Sequence, residues 1–351
     1  MARAMAFTLD APPAPGALPF DDVIDVRAPS EFALDHMPGA INLPVLSDAE
    51  RARVGTIYVR EDRFLARKVG AALVARNAAD HIAGPLADRP GSWRPLVYCW
   101  RGGQRSGAFA SILAQIGWRV EVLAGGYRAY RRRVSMMLYD DPLPVRPVLI
   151  DGGTGTGKTR LLGLLAERGA QAVDLEALAN HRGSNFGARP GGQPSQKMFE
   201  SRLAASLAAV DPDRPLYLEA ESAAIGALRL PPSLWAAMRD APTVRIEAPL
   251  AARGRFLVTA YPDLVEDRDR LARRIDALRP YRPRAEVEAW HVLAAEGRYA
   301  DLGAALIEGH YDPAYARGRP ARPVALTLAL ADLTDDHLAS AADRILATTG
   351  T

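Results

Sequence analysis

The sequence predicts an α/β protein built from two parallel-sheet domains in series. Short apolar runs alternate with helical patterns along much of the 351-residue chain, as expected for parallel strands joined by crossover helices. The proline-rich stretch 140–147 interrupts this alternation, and a glycine-rich loop follows the next apolar run. We therefore predict a first domain over 1–140, a linker over 141–147 and a second domain over 148–351.

Three apolar runs in the first domain predict strands, at 23–26, 96–98 and 120–123. A helical pattern over 106–116 lies between the last two runs. It ends at Gly117, because glycine readily adopts the conformation that stops a helix. The order strand, helix, strand predicts parallel neighbours in one sheet.

The second domain begins with the apolar run 148–150, the glycine-rich loop and a helix predicted over 158–167. Further strands are expected at 216–219 and 244–247. The remaining predicted elements are helices at 196–209 and 233–239, consecutive charged amphipathic helices over 250–309, and an edge strand at 324–328. The second domain is thus expected to carry a helical C-terminal part.

Composition limits the function. With 48% hydrophobic and 24% charged residues, the chain is neither disordered nor fibrous. Its one cysteine, Cys99, excludes an internal disulfide and a multi-cysteine zinc site. Asp10 interrupts the N-terminal stretch before an apolar signal segment forms, and the uncharged stretch 107–118 is too short to span a membrane. We expect a cytoplasmic protein with no membrane partner; a net charge of +3 permits a nucleic-acid partner without requiring one.

The loop 152–159 reads GGTGTGKT and matches the P-loop pattern between a predicted strand and a predicted helix. Backbone N–H groups, the helix N-terminus and Lys158 favour a diphosphate, and Thr159 is a candidate Mg²⁺ ligand. The candidate diphosphate-binding residues are Gly152, Gly153, Thr154, Gly155, Thr156, Gly157, Lys158 and Thr159. Glu219 and Glu221 are candidate supporting acids, with a solvated strand end as the equally weighted alternative.

A second anion-binding loop is predicted around Cys99, which follows the strand 96–98. A thiolate there, near a helix N-terminus and two arginines, is expected to have a depressed pKa and high nucleophilicity. Cys99, Arg101 and Arg105 are therefore candidate catalytic residues. The other candidate residues of this anion loop are Trp100, Gly102, Gly103, Gln104 and Ser106.

The first domain resembles the rhodanese family. The segments that carry the resemblance are DVR at 25–27, EF at 31–32, HMPGAINLP at 36–44 and LAGGY at 123–127. Asp35 stands where that pattern often has glycine. The resemblance implies a cysteine that carries a chalcogen. Cys99 and Arg105 are one residue further apart than is common in sulfur-carrying rhodaneses, as in related phosphatases, so we expect the loop to suit a phosphate-like anion. Tyr98 replaces the histidine typical of those phosphatases, which weakens that assignment.

A rhodanese-like domain followed by a P-loop domain resembles the tRNA 2-selenouridine synthase family. Further matching segments are VDLE at 173–176, HRGSNFG at 181–187, LEAES at 218–222 and YDP at 311–313; Ala220 departs from an expected acid. The resemblance implies two steps on 2-thiouridine at the tRNA wobble position. Geranyl diphosphate first alkylates the sulfur, and selenium from selenophosphate then displaces the geranylated sulfur.

The resemblance assigns the P-loop to the diphosphate and the Cys99 loop to selenophosphate. No tightly bound cofactor is expected. The expected partner is tRNA carrying 2-thiouridine, and an enzyme that supplies selenophosphate is a candidate partner. Arg182 and Ser184 are candidates for supporting the P-loop site. Candidate tRNA contacts are Arg128, Arg131, Arg132 and Arg133, with Tyr127 and Tyr130 in the same segment to stack on bases; the alternative is a solvated helix face.

Two other functions stay open at this point. The first is an ATP- or GTP-dependent sulfurtransferase, which would hydrolyse nucleotide and transfer persulfide sulfur. The second is a non-enzymatic adaptor that binds tRNA or nucleotide. Retention of Cys99 and both loop arginines argues against the adaptor, because binding alone does not require them.

Overall fold

A computed structural model describes residues 5–184, 186–318 and 322–350. Asn185, part of the HRGSNFG segment, lies outside the described residues. Backbone contacts divide the chain into two compact units. The first comprises Met1–Pro142 and Pro194–Ala209, and the second comprises Leu143–Gln193 and Val210–Thr351.

The first unit is built on a five-stranded parallel sheet with strand order β1-β5-β4-β2-β3. Its strands are β1 Met5–Phe7, β2 Asp22–Asp25, β3 Ile41–Asn42, β4 Pro95–Tyr98 and β5 Glu121–Leu123. The helices before residue 140 are α1 Pro29–Leu34, α2 Asp48–Arg60, α3 Arg63–Ala83, α4 Gln104–Ile116 and α5 Gly126–Ser135, followed by a π-helical turn Met136–Asp140. The three predicted strands and the predicted helix are confirmed. Strand β4 is central and wholly buried, so the residue that follows it starts from a fixed position.

The second unit is built on another five-stranded parallel sheet, with strand order β12-β11-β6-β8-β7. Its strands are β6 Arg146–Asp151, β7 Gln171–Val173, β8 Pro215–Glu219, β11 Thr243–Glu247 and β12 Val324–Ala329, with an antiparallel pair β9 Ala224–Ile225 and β10 Leu228–Arg229. The edge position predicted for the last strand is confirmed. Because β6 is central, the P-loop emerges from the middle of this sheet, where parallel α/β folds bind ligands.

The helices after β6 include the consecutive helices predicted over 250–309, which follow β11. They are α6 Lys158–Glu167, α7 Leu175–Leu178, α8 Gln196–Ala208, α9 Pro232–Arg239, α10 Leu250–Ala260, α11 Pro262–Glu266, α12 Arg268–Asp276, α13 Arg284–Ala295, α14 Tyr299–Leu306, α15 Asp312–Gly318 and α16 Asp335–Thr349. Helix α8 belongs to the first unit. Within the described ranges, no helix combines the length and apolar character needed to cross a membrane.

Two apolar layers fill the second unit. One lies on the sheet and includes Leu161 and Ile246, and the other is formed by helices α11 to α14 around Trp290. Helices α10 and α14 pass close to each other at Gly254, where an added Cβ would lie 2.5 Å from the Ala300 carbonyl oxygen. This close crossing sets the position of the helical layer beside the P-loop.

Candidate active site

The carboxyl end of β4 holds Cys99 at the base of the loop that leads into α4. The side chain is 4% exposed, and its Sγ accepts a hydrogen bond from Ser106 Oγ at 3.2 Å. Burial raises the pKa of the Cys99 thiol, but hydrogen bonds from Ser106 and from the backbone of Arg101 and Gly103 outweigh burial and lower it. A lowered pKa enlarges the thiolate fraction near neutral pH, in the direction expected from the sequence.

The Cys99 loop closes against the LAGGY segment at 123–127. Gly102 has a φ of +66°, and a Cβ there would lie 2.6 Å from the Leu123 carbonyl oxygen, so only glycine fits without a backbone shift. Tyr127 N–H donates to the Cys99 carbonyl oxygen at 2.8 Å. These contacts restrain the backbone of the Cys99 loop.

The two loop arginines differ in their surroundings. Arg105 is half-buried and its Nη1 donates to Glu31 Oε2 at 3.1 Å. Arg101 is exposed. Trp100, also exposed, packs against the ring of Tyr127 with a centroid distance of 5.2 Å. Arg101 is thus open to an incoming anion, whereas Arg105 would share its charge between that anion and Glu31. Gly103 and Gln104 lie at the exposed start of α4.

A buried polar network underlies the loop. Arg27 is 1% exposed, donates to both carboxylate oxygens of Asp25 at 2.6–3.0 Å and reaches the Asp35 carbonyl oxygen at 2.6 Å. Its guanidinium lies 4.0 Å from the ring centre of Tyr127, whose hydroxyl donates to Asp35 Oδ2 at 2.7 Å. Sequence reasoning treated 25–27 only as a family signature; the DVR spacing was the available signal.

We expect Arg27→Leu to lower the free energy of unfolding by about 3–5 kcal/mol, because Asp25 becomes a buried charge without its partner. Urea denaturation followed by tryptophan fluorescence measures the loss. Arg67→Leu is the control, since Arg67 is exposed on α3 and its replacement should cost less than about 0.5 kcal/mol. A loss for Arg27→Leu as small as that of the control would contradict the role of the network.

The candidate tRNA arginines lie on α5, but not all of them face solvent. Arg131 forms an ion pair with Glu200, and Arg133 Nε donates to a backbone carbonyl oxygen at 3.0 Å. Arg128 and Arg132 are exposed. These two are the arginines available to a phosphate backbone without breaking an internal contact.

The tyrosines between these arginines are buried. Tyr127 is 3% exposed and Tyr130 is 1% exposed, and their rings lie 6.4 Å apart. The prediction that they stack on unpaired bases is therefore wrong. A helix with arginine on one face presents its opposite face to the core, and both tyrosines lie on the core face.

The P-loop surrounds its lysine. Lys158 begins α6, and its Nζ donates to the carbonyl oxygens of Gly152 at 2.7 Å and Gly153 at 3.3 Å. The ammonium therefore lies inside the loop that the backbone forms. A compact charge in this position suits the oxygens of a diphosphate.

An ion pair missed by sequence reasoning braces the P-loop. Arg253 on α10 is 9% exposed, and its Nε donates to the Thr154 carbonyl oxygen at 2.9 Å. Its two Nη atoms donate to Asp312 at 2.6 and 2.9 Å. Asp312 belongs to the YDP segment, which was noticed only as part of a resemblance; Arg253 carried no local signal.

Three carboxylates, of Glu176, Glu219 and Glu221, lie close to one another beside the P-loop. Thr159 Oγ1 donates to Glu176 Oε2 at 3.3 Å. Burial, reinforced by the charge of Glu221, raises the pKa of Glu176 to about 8. Burial likewise raises the pKa of Glu219 well above its usual value and that of Glu221 above its own. Glu176 completes the acidic group that the sequence predicted from 219 and 221 alone.

The donor set suits a hard cation. Glu219 Oε1 is fully buried without a hydrogen-bond partner among the described residues, and Thr159 offers a hydroxyl oxygen nearby. In the part of the chain that the structure describes, no three His, Cys, Asp or Glu side chains are arranged to hold a metal by themselves. Mg²⁺ held by Thr159 and Glu219 would take its other oxygens from water and a bound diphosphate.

We expect Glu176→Gln to stabilise the protein more at pH 8 than at pH 5.5. Between the unfolded pKa near 4.5 and the folded pKa near 8, the folded state holds a proton that the unfolded state has lost, so stability falls as pH rises through this window. Glutamine removes that dependence. Urea denaturation should show a gain of about 1 kcal/mol or more at pH 8. Glu308→Gln, at an exposed position, should show no such pH dependence; an equal gain at both pH values would contradict the burial of this charge.

A cavity of about 610 Å³ opens beside the P-loop. Arg182 and Ser184 line it, together with Glu176 and Glu221. Arg182 donates to Asp263 at 2.6 Å and lies 4.6 Å from a tyrosine ring centre. Lys158 and Arg182 bring positive charge to the lining of the cavity, and Glu176 and Glu221 bring carboxyl groups. This combination suits a diphosphate with its cation.

The fold and the two loops define a rhodanese-like domain joined to a P-loop domain. The rhodanese-like domain model matches residues 14–133, and the model of the tRNA 2-selenouridine synthase AAA domain matches residues 145–282. Curated relatives named tRNA 2-selenouridine synthase are similar over much of the chain. The relative from Verminephrobacter eiseniae is 34% identical over 86% of this chain and 90% of its own length.

The relative from Psychromonas ingrahamii is 37% identical over 71% of this chain and 67% of its own length. The relative from Hahella chejuensis is 41% identical over 66% of this chain and 61% of its own length. The chain belongs to the tRNA 2-selenouridine synthase family.

Proposed function

We propose that this protein replaces sulfur by selenium in 2-thiouridine at the wobble position of tRNA. The observation that carries the proposal is the pairing of two anion loops of different chemistry. One holds a lysine among carbonyl groups (Lys158), and the other holds a thiol of lowered pKa (Cys99). A reaction that consumes one diphosphate ester and one selenophosphate needs both. The names of the relatives support the same reaction.

In the first step, the sulfur of 2-thiouridine attacks C1 of geranyl diphosphate. A carbon–sulfur bond forms, the carbon–oxygen bond breaks, diphosphate leaves and the base loses its N3 proton. Lys158 and the P-loop backbone stabilise the charge that develops on the leaving diphosphate. Mg²⁺ held by Thr159 and Glu219 would share that charge. Alkylation converts a poor leaving group into a thiol that can depart.

In the second step, selenium replaces the geranylated sulfur. The Cys99 thiolate attacks the phosphorus of selenophosphate, and the phosphorus–selenium bond breaks. Hydroselenide departs, and water later hydrolyses the phosphocysteine that has formed at Cys99. Attack at selenium would instead release reduced phosphorus as phosphite, which has no use in this reaction. Hydroselenide adds to C2 of the base, and geranyl thiol leaves with a proton. Arg101 and Arg105 offset the phosphate charge.

The proposal has further parts. The protein needs no tightly bound cofactor, works in the cytoplasm without a membrane partner, and receives selenophosphate from the enzyme that makes it. Arg128 and Arg132 are the exposed arginines of α5 and are assigned to the tRNA backbone.

The test is to incubate the protein with 2-thiouridine tRNA and each donor, separately and together, and to analyse nucleosides by mass spectrometry. Geranyl diphosphate alone should give the S-geranyl nucleoside, and both donors together should give 2-selenouridine. An ATP- or GTP-dependent sulfurtransferase would instead hydrolyse nucleotide and transfer sulfur. Absence of geranylated and selenated products under every condition would overturn the proposal.

A further inference from the structure

A second cavity, of about 60 Å³, adjoins the large P-loop cavity. Thr154, Leu257 and Tyr261 line both. Resting on the proposed function, we propose that this smaller cavity, here named the prenyl cavity, receives the far isoprene unit of geranyl diphosphate and sets the chain length of the donor. The diphosphate would lie on the P-loop and the first isoprene unit at the three shared residues.

The walls of the prenyl cavity are apolar. Among the described residues, no charged side chain lines it, and helices α11, α12 and α14 supply Leu264, Leu271, Leu302 and Leu306. These leucines belong to the buried helical layer around Trp290. Because most of its lining is apolar, the cavity offers few hydrogen bonds to water and favours a hydrocarbon.

The size of the prenyl cavity matches one isoprene unit. A single water needs about 10–15 Å³ of such space, so a cavity of about 60 Å³ accepts about four to six heavy atoms. An isoprene unit has five carbons. A C10 donor therefore fits with its second unit inside the prenyl cavity, whereas the third unit of a C15 donor exceeds this volume.

The position of the prenyl cavity also fits an allylic diphosphate. Thr154 is a P-loop residue whose carbonyl oxygen is fixed by Arg253, so the shared boundary lies directly at the phosphate-binding loop. Tyr261, the aromatic residue of that boundary, is held from the other side by the guanidinium of Arg182 at 4.6 Å. Two of the three boundary residues are thus restrained by contacts with arginines, and the chain behind them is selected by volume.

The experiment compares dimethylallyl, geranyl and farnesyl diphosphates (C5, C10 and C15) as donors to 2-thiouridine tRNA. Leu302→Ala enlarges the prenyl cavity and should raise the ratio of kcat/KM for C15 over C10 by about tenfold or more. Leu306→Phe fills it and should raise KM for C10 by about tenfold or more while leaving C5 unchanged. Leu278→Ala is the matched control, since Leu278 is buried in the same layer but does not line the cavity.

The outcomes separate this inference from the proposed function. If the wild type geranylates tRNA but both cavity variants keep its chain-length preference, as Leu278→Ala should, the prenyl cavity is not the donor subsite. If the wild type transfers a prenyl group to tRNA from none of the three diphosphates, the proposed function fails and this inference fails with it. Circular dichroism and competition by inorganic diphosphate confirm that each variant is folded and retains its P-loop site.

Discussion

Cys99→Ser is expected to abolish selenation, by at least about 1,000-fold, and to leave geranylation within about twofold of the wild-type rate. The thiolate is the nucleophile that breaks the phosphorus–selenium bond, and a serine hydroxyl in the same place is not ionised at neutral pH. The hydrogen bonds that lower the pKa of the thiol, from Ser106 and the loop backbone, cannot ionise a hydroxyl to a useful degree.

The measurement supplies tRNA that already carries S-geranyl-2-thiouridine, so that only the second step is scored. With the wild type, rapid denaturation at alkaline pH after addition of selenophosphate should trap phosphocysteine at Cys99, detectable by mass spectrometry of the digested protein. Ser111→Ala, at an exposed position on α4, the helix that follows the Cys99 loop, serves as the control. Full selenation by Cys99→Ser, with geranylation intact, would remove this residue from the mechanism.

Lys158→Ala is expected to slow geranylation by about 100-fold or more, because the leaving diphosphate loses its nearest compact charge. Selenation of tRNA that is already geranylated should proceed at the wild-type rate. Lys158→Arg should be nearly as slow, since a planar guanidinium does not replace an ammonium that reaches the carbonyl oxygens of both Gly152 and Gly153.

The chain supplies its own control for this experiment, because it contains only three lysines. Lys68 is exposed on α3, and Lys68→Ala should leave both steps unchanged. Single-turnover kinetics with saturating geranyl diphosphate separates a loss of chemistry from a loss of binding. An unchanged geranylation rate in Lys158→Ala would mean that the diphosphate binds elsewhere.

The two loops were predictable because each is a local feature. Cys99 and Lys158 both follow a buried strand and precede a helix, so a continuous stretch of sequence contains the strand, the loop and the helix. The chemistry of each loop depends on backbone N–H groups and one side chain from that same stretch. Both therefore stand out without knowledge of the tertiary fold.

The supporting groups were not predictable because they come from distant parts of the chain. Arg253 and Asp312 meet at the P-loop although 59 residues separate them, and the prenyl cavity is formed by helices that each read as an ordinary amphipathic helix. Tyr127 and Tyr130 were misassigned because the neighbouring arginines were taken to indicate an exposed segment. Only one face of α5 is exposed, with Arg128 and Arg132 on it, and both tyrosines lie on the buried face.

Because helix α8 belongs to the first unit, no single division of the chain separates the two units. The chain passes between units after Pro142, after Gln193 and after Ala209, so a gene divided at the proline-rich joint would encode two incomplete halves. The N-terminal half would lack Glu200, the ion-pair partner of Arg131. A division of the protein into two complete units would therefore have to keep Pro194–Ala209 with the N-terminal half.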